Sequence, residues 1–421
     1  PAIQKKITTL LSEQQMDFLY HEIELPLCEV LASMEHEGFM VDEKGITDFG
    51  EDLNLQIEQL KIDIIELAGV PFNINSTQHL SDVLFNRLGL PPKKKTKTGY
   101  STDVDVLQSL IPLHPIVDKI LTYRQLSKLY STYVVGLKKC IRADRRVHST
   151  FNQTETRTGR ISSTDPNVQN IPVRTPLGSQ MRKFFVAKNG CTLVDADYSQ
   201  IELRILAHIS NDKNMIEGFR EGADIHRMTA SQVFHVPFDE VPAELRSRSK
   251  AINFGIVYGI SAFSLAQDIH VSMKEAKQYI EDYLHTYSGV AQYMKDSVES
   301  AKKKGYVETM FHRPRTLPDI NGKNANLRGF SERVAMNMPI QGTAADIIKL
   351  AMIRVFRRLK ENHLESKLIL QVHDELLVET IESELSQVRE IVKNEMENAA
   401  KLSVAMEVDI HDGKNWYVAK G

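Results

Sequence analysis

Two acidic residues lie where apolar runs end, so that a rigid element holds each carboxylate. Asp197 closes a short strand predicted from Thr192, and a helix is predicted to begin at Ser199. Asp374 occupies the tip of a strand–turn–strand pattern between residues 367 and 380. Two carboxylates from separate elements can bridge a pair of Mg²⁺ ions about 3.5–4 Å apart. The pattern predicts a two-metal site, and the alternative is that both residues are ordinary turn-forming acids.

The alternation of side chains along a strand narrows the set of metal ligands. Neighbouring strand residues point to opposite faces of a sheet. Asp374 and Glu375 are therefore not expected to face one metal ion, and neither are Asp197 and Tyr198. Asp195 points to the same face as Asp197, which makes it the competing ligand.

A second group of residues recurs every four positions: Arg246, Lys250, Phe254 and Tyr258. In a helix this spacing forms one slowly drifting stripe, roughly 18 Å long. Cations suit phosphates, and aromatic faces suit a sugar and a base. The stripe predicts a nucleotide site, and the alternative is an ordinary helix with solvated cations and core aromatic residues. The sequence contains no Walker A loop and no GxGxxG, so it does not support P-loop or Rossmann nucleotide binding.

Charge is unevenly distributed along a chain whose net charge is only −3. Residues 91–188 hold 18 Lys and Arg against 6 Asp and Glu, which predicts a local polyanion-binding surface. Residues 91–101 are predicted to be a mobile basic loop that lies on a phosphate backbone, through Lys93, Lys94, Lys95 and Lys97. Arg124 and Lys128 stand one helical turn apart on one face of the helix predicted over 116–137 and are also predicted to contact the DNA. The alternative is that the loop is an exposed, solubilising tip.

Composition excludes several classes of protein. With 421 residues, 42% hydrophobic and 25% charged, the chain has enough apolar material for a sizeable core, which excludes global disorder. No apolar run approaches 18 residues, so no membrane-spanning helix is expected. The three cysteines form no CxxC and the histidines form no HExxH, which argues against a disulfide framework or a zinc site and fits a reducing cytosol.

Helices predominate among the elements that must position these residues. Apolar periodicity predicts helices over 16–35, 43–68, 77–89, 116–137, most of 212–300, 343–359 and 383–400. Short strands and turns are predicted over 147–170, a strand over 192–197, and hairpins near 308–320 and 367–380. The strands do not alternate with helices as βαβ units, so the expected class is α+β.

Several longer segments resemble motifs of the family A DNA polymerases. Residues 197–204 (DYSQIELR) resemble motif A, residues 246–259 (RSRSKAINFGIVYG) resemble motif B, and residues 371–375 (QVHDE) resemble motif C. Three other segments resemble those that contact the primer and template: 158–163 (TGRISS), 167–172 (NVQNIP) and 337–346 (NMPIQGTAAD). The resemblance runs in unbroken order from residue 16 to residue 421. One departure is the start of motif B, where Arg246 and Arg248 flank Ser247; a phosphate contact from Arg248 stays open.

The resemblance implies a right-hand polymerase fold, with a palm on an antiparallel sheet and mostly helical fingers and thumb. It assigns 1–15 to a lead-in, 16–40, 149–211 and 329–421 to the palm, 41–148 to the thumb and 212–328 to the fingers. The roughly 15 residues before the palm are too few for an upstream nuclease domain, so no proofreading is expected. The implied activity is template-directed DNA synthesis from dNTPs on primer–template duplex DNA, by a monomer in the bacterial cytoplasm, nucleoid-associated and without a membrane partner.

The resemblance also implies a role for individual residues. Asp197 and Asp374 would hold two Mg²⁺ ions, for which Mn²⁺ substitutes, with help from the Tyr198 carbonyl. Arg246, Lys250 and His226 would bind the triphosphate, and Lys250 would also protonate the leaving pyrophosphate. Phe254 and Tyr258 would contact the sugar and the nascent base pair, and the nucleotide pocket would be completed by Gln200, Arg174 and Asn337. The primer side would be contacted by Arg160, Gln341 and His373. Glu202 would exclude a ribose 2′-OH, with Tyr258 as its hydrogen-bonding neighbour; the alternative is a capping box with Ser199.

Two other functions share some of these features. A single-subunit RNA polymerase has the same hand-like fold, but Glu202 argues against it because a small residue there would admit a 2′-OH. A non-catalytic DNA-binding module would need neither metal ligands nor triphosphate ligands. The presence of Asp197, Asp374, Arg246 and Lys250 argues against such a module.

Overall fold

The computed structural model describes residues 2–96, 99–172 and 175–421. The first part is mostly helical: α1 (Ala2–Glu13), a π-helical turn (Leu19–Glu24) leading into α2 (Leu25–Glu37), β1 (Phe39–Met40), α3 (Glu43–Ala68), α4 (Thr77–Ser81) with a π-helical extension (Asp82–Arg87), β2 (Lys95–Thr96), β3 (Gly99–Tyr100), α5 (Val104–Gln108), a 3₁₀ turn (Ile111–Leu113), and α6 (Pro115–Leu129) with a π-helical extension (Tyr130–Gly136). No helix of these described residues is long and apolar enough to span a bilayer.

Short strands then lead into a second helical region. The elements are β4 (Arg146–Val147), β5 (Thr150–Asn152), β6 (Ser162–Thr164), α7 (Pro176–Ser179), β7 (Cys191–Tyr198), α8 (Ile201–Ser210), α9 (Lys213–Arg220), α10 (Ile225–Phe234), α11 (Ala243–Val257), α12 (Ala262–Asp268), α13 (Met273–Thr286), α14 (Ser288–Lys304), β8 (Tyr306–Glu308) and β9 (Pro314–Thr316), joined by 3₁₀ turns at Val168–Asn170, Gln180–Phe184 and Phe238–Glu240. The last elements are α15 (Ala325–Glu361), β10 (Lys367–Val372), β11 (Glu375–Ile381), a 3₁₀ turn (Glu382–Glu384), α16 (Leu385–Glu397), β12 (Val408–Gly413) and α17 (Trp416–Ala419).

A four-stranded antiparallel sheet, in the order β10–β11–β7–β12, carries both acidic turns. Its central strands β7 and β11 are almost entirely buried, because α2, α15 and α16 pack against the sheet. The apolar residues at their centres, Leu193 and Val194 in β7 and Leu376, Leu377 and Val378 in β11, are all buried. The combination of this sheet with helices segregated around it confirms the predicted α+β class.

The helical region before the sheet is built on the packing of α3 against α6. The predicted bounds of α3 are correct, since local signals set both ends. The Asp42 carboxylate accepts a hydrogen bond from the Gly45 amide at 3.0 Å, and Gly69 adopts the left-handed conformation that ends the helix. Buried Ile46, Leu53 and other apolar residues of α3 face the neighbouring helix.

Several elements differ from the sequence-based predictions. Lys95–Thr96 and Gly99–Tyr100 pair as two short antiparallel strands within the segment that was expected to be a mobile loop. The helix expected to begin at Thr343 begins at Ala325 and includes Pro339, so the predicted boundary between residues 328 and 329 falls within it. Helix α15 continues through Pro339 although a proline has no N–H for the helical hydrogen bonds, and most of the residues that follow it in the helix are buried. Strand β12, helix α17 and helix α1 were not predicted.

Candidate active site

The two acidic turns of the sheet lie beside one another. In the register of β7 with β11 and β12, Asp197 is opposite Glu375 on one side and Asp409 on the other. The chain reverses at His373 and Asp374, between the paired Val372 and Glu375, and His373 adopts the left-handed conformation with φ 55°. The Tyr198 amide donates to the Asp374 carbonyl at 3.2 Å, which ties the two turns together. Burial and the nearby charge of Asp197 raise the pKa of Asp374 to about 7.

The carboxylate pair has the properties of a divalent-cation site. Asp197 Oδ1 is buried and has no hydrogen-bond partner in the described part of the chain. Asp374 and Asp197 repel one another, and a divalent cation between them would relieve that repulsion. No group of three or more His, Cys, Asp or Glu side chains is placed to hold a metal in residues 2–96, 99–172 and 175–421. The pair would therefore need other oxygen ligands, such as a backbone carbonyl, water or substrate phosphate, which suit Mg²⁺.

The environment of Asp195 favours Asp197 as the metal ligand. Asp195 is only 2% exposed, and burial together with the charge of Glu375 raises its pKa to about 9. A carboxyl group that stays neutral at pH 7 is a poor ligand for a hard cation. Burial also raises the pKa of Glu375, but Lys420 and the hydrogen bond with Asp195 outweigh it and leave that pKa below its usual range. Asp195 and Glu375 thus interact with each other, whereas Asp197 and Asp374 line the cleft.

One cleft of about 1510 Å³ brings together most of the predicted site residues. Its lining includes Arg160, Asp197, Gln200, Glu202, His226, Arg246, Lys250, Phe254, Tyr258, His373 and Asp374. The side chains at 246, 250 and 254 project from α11, and Tyr258 lies at its C-cap, with φ −87° and ψ 0°. The four-residue stripe therefore faces the two carboxylates across this cleft. The Tyr198 side chain points away from it, since its hydroxyl donates to the Met396 carbonyl at 2.7 Å.

The cationic end of the stripe is tied to α10. Arg246 Nε donates to Asp224 Oδ2 at 2.6 Å, and the other oxygen of Asp224 caps α10. Arg248 instead bonds to Glu244 within α11 at 2.7 Å and is not among the cleft-lining residues. Arg246 is therefore better placed than Arg248 to bind a ligand in the cleft.

His226 is 2% exposed and is held in a neutral state. Burial, together with the charges of Lys250 and Arg246, lowers its pKa to about 4 against the opposing effect of Asp224. The side-chain amide of Asn253 donates from Nδ2 to His226 Nδ1 at 3.0 Å, so the neutral His226 ring carries its proton on Nε2. Its ring also packs against Phe254, with the ring centroids 5.8 Å apart.

Glu202 joins three elements around the cleft. Its Oε1 accepts from Arg160 Nη2 at 2.8 Å, and its Oε2 accepts from the Tyr258 hydroxyl at 3.2 Å. Burial raises the pKa of Glu202, although Arg160 and Tyr258 oppose that rise. The alternative capping box is wrong, because the N-cap of α8 is Gln200 in the left-handed conformation, without a side-chain cap. The hydrogen bond predicted between Tyr258 and Glu202 is present.

The residues predicted to contact DNA have more varied surroundings. Lys93, Lys94 and Lys95 are exposed, and Lys94 lies 3.5 Å from Asp103. Arg124 is bound within the protein, because its guanidinium donates to the Thr102 carbonyl at 2.5 Å and to Thr102 Oγ1 at 3.1 Å. The DNA contact of Arg124 stays a prediction, and Lys128 is exposed.

Four further predictions fall outside the cleft lining or outside the described residues. Gln341 is buried and Asn337 half-buried on α15, and neither is among the residues that line the cleft. Lys97 and Arg174 lie outside the described residues.

Sequence reasoning missed several residues at this site, among them Lys420 and Asp409. Lys420 Nζ lies 2.8 Å from Asp197 Oδ2, and Asp409 lines the cleft from β12. The alternation of Val408 and Ile410 with polar residues was the available signal for β12. Nothing local to residue 420 indicates its position, because the approach of α17 to β7 depends on the tertiary fold.

Comparison with known proteins gives a consistent assignment. The family model for DNA polymerase family A matches residues 43–418. DNA polymerase I of Caldicellulosiruptor bescii is 51% identical over 416 residues, covering 99% of this chain and 49% of that relative. DNA polymerase I of Geobacillus stearothermophilus is 50% identical over 421 residues, covering 100% and 48%, and that of Bacillus subtilis is 50% identical over 419 residues, covering 99% and 48%. This chain thus spans about half the length of these relatives.

A solved structure is also similar over nearly the whole chain. The POL domain of Pol1 from M. smegmatis, in complex with a DNA primer–template and dNTP, superposes with a TM-score of 0.93 and 44% sequence identity. The similarity covers 98% of this chain and 73% of that one. The hand-like arrangement expected from the sequence motifs is therefore the fold of this chain.

Proposed function

This chain belongs to DNA polymerase family A, and on that premise we propose that it is a DNA-directed DNA polymerase. It adds dNMP units from dNTPs to the 3′-OH of a primer paired with a template strand, and it releases pyrophosphate. The observation that carries this proposal is the single cleft in which Asp197 and Asp374 face Arg246, Lys250 and an aromatic pair. A binding module would need no such arrangement.

The carboxylate pair would hold the metal ions of the reaction. Asp197 and Asp374 fit two Mg²⁺ ions, since Asp197 Oδ1 is buried without a partner in the described residues and the two charges repel. The Tyr198 carbonyl is a further proposed ligand, and Mn²⁺ would substitute for Mg²⁺. When bound, the two ions lower the pKa of the attacking hydroxyl and stabilise the leaving pyrophosphate. Asp195 is proposed to take no direct part, because it lies beside Glu375 and Lys420 and is not among the residues that line the cleft.

The α11 stripe would bind and orient the nucleotide. Arg246 and Lys250 supply charge to the triphosphate, and the neutral His226 supplies an Nε2–H donor. Lys250, which is exposed to the cleft, is proposed to donate a proton to the pyrophosphate oxygen that leaves. Phe254 and Tyr258 would contact the sugar and the nascent pair. Gln200 and Arg174 are proposed to complete the nucleotide pocket.

Primer–template DNA would lie between the cleft and the basic helical region. Arg160, His373, Gln341 and Asn337 are the proposed contacts on the primer side. The exposed Lys93, Lys94, Lys95 and Lys128, together with Lys97, are proposed to follow the phosphate backbone. We propose residues 41–148 as thumb, 212–328 as fingers and the remainder after residue 15 as palm. The proposed setting is a monomer on DNA in the bacterial cytoplasm, associated with the nucleoid.

A primer-extension assay with Mg²⁺, comparing dNTPs with rNTPs, tests this function. Extension with dNTPs is expected, and a preference for rNTPs would instead identify an RNA polymerase. Asp197→Asn and Asp374→Asn should abolish extension, because metal-assisted positioning supplies many powers of ten in rate, while duplex affinity stays nearly unchanged. Asp239→Asn, at an exposed position, is the matched control. Duplex binding without extension by the unaltered protein would identify a binding module.

A further inference from the structure

A lysine from the carboxyl-terminal segment lies against the carboxylates of the cleft. Lys420 Nζ is 2.8 Å from Asp197 Oδ2 and 2.6 Å from Glu375 Oε2, and it is 3.9 Å from Asp195 Oδ1. The lysine side chain is only 28% exposed. Charge-assisted hydrogen bonds of this length, shielded from water, are stronger than surface ion pairs.

Helix α17 holds this lysine in place. Trp416 is fully buried, and its Nε1–H donates to Glu375 Oε1 at 2.6 Å, so both Glu375 oxygens are occupied by donors from this segment. The Arg182 guanidinium lies 3.9 Å from the centre of the Trp416 ring, and Phe185 packs against its edge. The Lys420 amide donates to the Trp416 carbonyl at 3.1 Å. The ammonium is therefore a fixed charge rather than a mobile one.

The two oxygens of Asp197 have different surroundings. Oδ2 is bound to the ammonium, while Oδ1 is buried and has no hydrogen-bond partner in the described residues. The lysine thus fixes the orientation of the carboxylate and leaves one oxygen for another cation. It also places a positive charge next to that oxygen, and like charges repel most strongly where water is excluded.

We propose that Lys420 is a positioning residue that orients Asp197 and, as a built-in cation, weakens divalent-metal binding at the carboxylate pair. This inference rests on the proposed assignment of Asp197 and Asp374 as metal ligands. The affinity of an oxygen site for a divalent cation follows its net ligand charge and rigidity. With Lys420 in place, the free protein binds metal weakly, and the oxygens of an incoming triphosphate supply the missing negative charge. Metal ions then enter and leave together with substrate and pyrophosphate.

Direct measurement of Mn²⁺ binding tests this proposal without any catalytic assay. The protein, free of DNA and nucleotide, is titrated with Mn²⁺, and the unbound ion is measured by electron paramagnetic resonance. Lys420→Met should bind Mn²⁺ at least ten-fold more tightly than the wild type, whereas Lys420→Arg should stay within about three-fold. Lys414→Met is the matched control, because Lys414 is an exposed lysine of the same segment that pairs with Glu382. That control should leave Mn²⁺ affinity unchanged.

Unchanged or weaker Mn²⁺ binding by Lys420→Met overturns the proposal. If this variant is unstable without metal, thermal melts decide the same question: Mn²⁺ must raise the Tm of Lys420→Met more than that of the wild type, and an equal rise is contrary evidence. Mn²⁺ binding by Asp197→Asn and Asp374→Asn distinguishes a failure of the metal-site assignment from a failure of the role proposed for Lys420. If neither weakens Mn²⁺ binding, the metal-site assignment fails. If both weaken it and Lys420→Met has no effect, only the role of Lys420 fails.

Discussion

Replacement of Glu202 by alanine should allow ribonucleotides into the nucleotide site. In the structure the Glu202 carboxylate is 10% exposed, and it lies between Arg160 at 2.8 Å and the Tyr258 hydroxyl at 3.2 Å. It thereby holds an aromatic ring from the end of α11 against the start of α8. If the sugar of the incoming nucleotide occupies this corner, a 2′-OH meets the carboxylate or the ring.

The size of the effect follows from what the alanine removes. Truncation deletes the carboxylate and both hydrogen bonds, which frees space for one additional hydroxyl and releases Tyr258. Pocket discrimination of this kind is on the order of 10²-fold in kcat/KM, equivalent to about 2.7 kcal/mol. The cost to folding should be smaller, about 1–2 kcal/mol, because Arg160 and Tyr258 are both partly exposed and water can replace the lost partner. Relative rNTP incorporation should thus rise by about 10²-fold or more.

The assay compares kcat/KM for one rNTP and the matching dNTP on the same primer–template. Glu202→Gln is the informative control, because it keeps the volume and a hydrogen-bond acceptor for Tyr258 while removing the charge. It should retain most of the sugar discrimination, whereas Glu202→Ala should lose it. Tyr258→Phe keeps the ring and removes only the hydroxyl bond to Glu202. An intermediate effect is expected for that variant.

One result would refute the reasoning. A Glu202→Ala protein that is folded by circular dichroism, extends with dNTPs and still rejects rNTPs as the wild type does would remove Glu202 from sugar selection. Its carboxylate would then serve only to hold Arg160 and Tyr258 together. A loss of stability with both sugars handled as before is the signature of that purely structural role.

Three further predictions concern other parts of the molecule. Replacing Lys93, Lys94, Lys95 and Lys97 with glutamine should weaken binding to all duplex sequences alike. The steepness of log K against the logarithm of the salt concentration should fall by about 0.9 for each lost phosphate contact. An unchanged slope would show that the segment is only an exposed, solubilising tip. The lowered pKa of His226, about 4, means that unfolding takes up a proton in acid, so stability is lost as pH falls. When the pH is lowered from 7.5 to 4, the free energy of unfolding measured with denaturant should fall by about 3 kcal/mol more in the wild type than in His226→Gln. An equal fall in the two proteins would contradict the lowered pKa of His226. A mismatched primer 3′ end incubated with Mg²⁺ and no dNTP should persist, and steady shortening by the purified protein would reveal a nuclease site.

Features that depend on spacing within one element were predictable from the sequence. The bounds of α3 were correct because Asp42 and Gly69 act on the helix ends through bonds to residues a few positions away. The stripe on α11 follows from the helical repeat, which places residues four apart on one side. The positions of Asp197 and Asp374 follow from the buried apolar strands that precede them.

Local rules failed where a tertiary contact competes with them. Ser199 and Glu202 have capping-box spacing, but Arg160 and Tyr258 bind the glutamate instead, and Gln200 turns the chain. Pro339 would end an isolated helix, yet α15 continues through it because both faces of its second half are packed in the core. Hydrogen bonds in the first case and burial in the second outweigh a local preference worth about 1–3 kcal/mol.

The residue types and their order along the chain determined the family motifs, the α+β class and the candidate carboxylates and cations. Only the tertiary structure decided which carboxylates face the cleft. Asp195 and Asp197 share one face of β7, but burial and the charge of Glu375 raise the pKa of Asp195, while Lys420, 223 positions away from Asp197, binds Asp197 Oδ2. Charge state depends on the groups that the sheet register and α17 bring within a few ångströms, and sequence spacing carries no information about those distances.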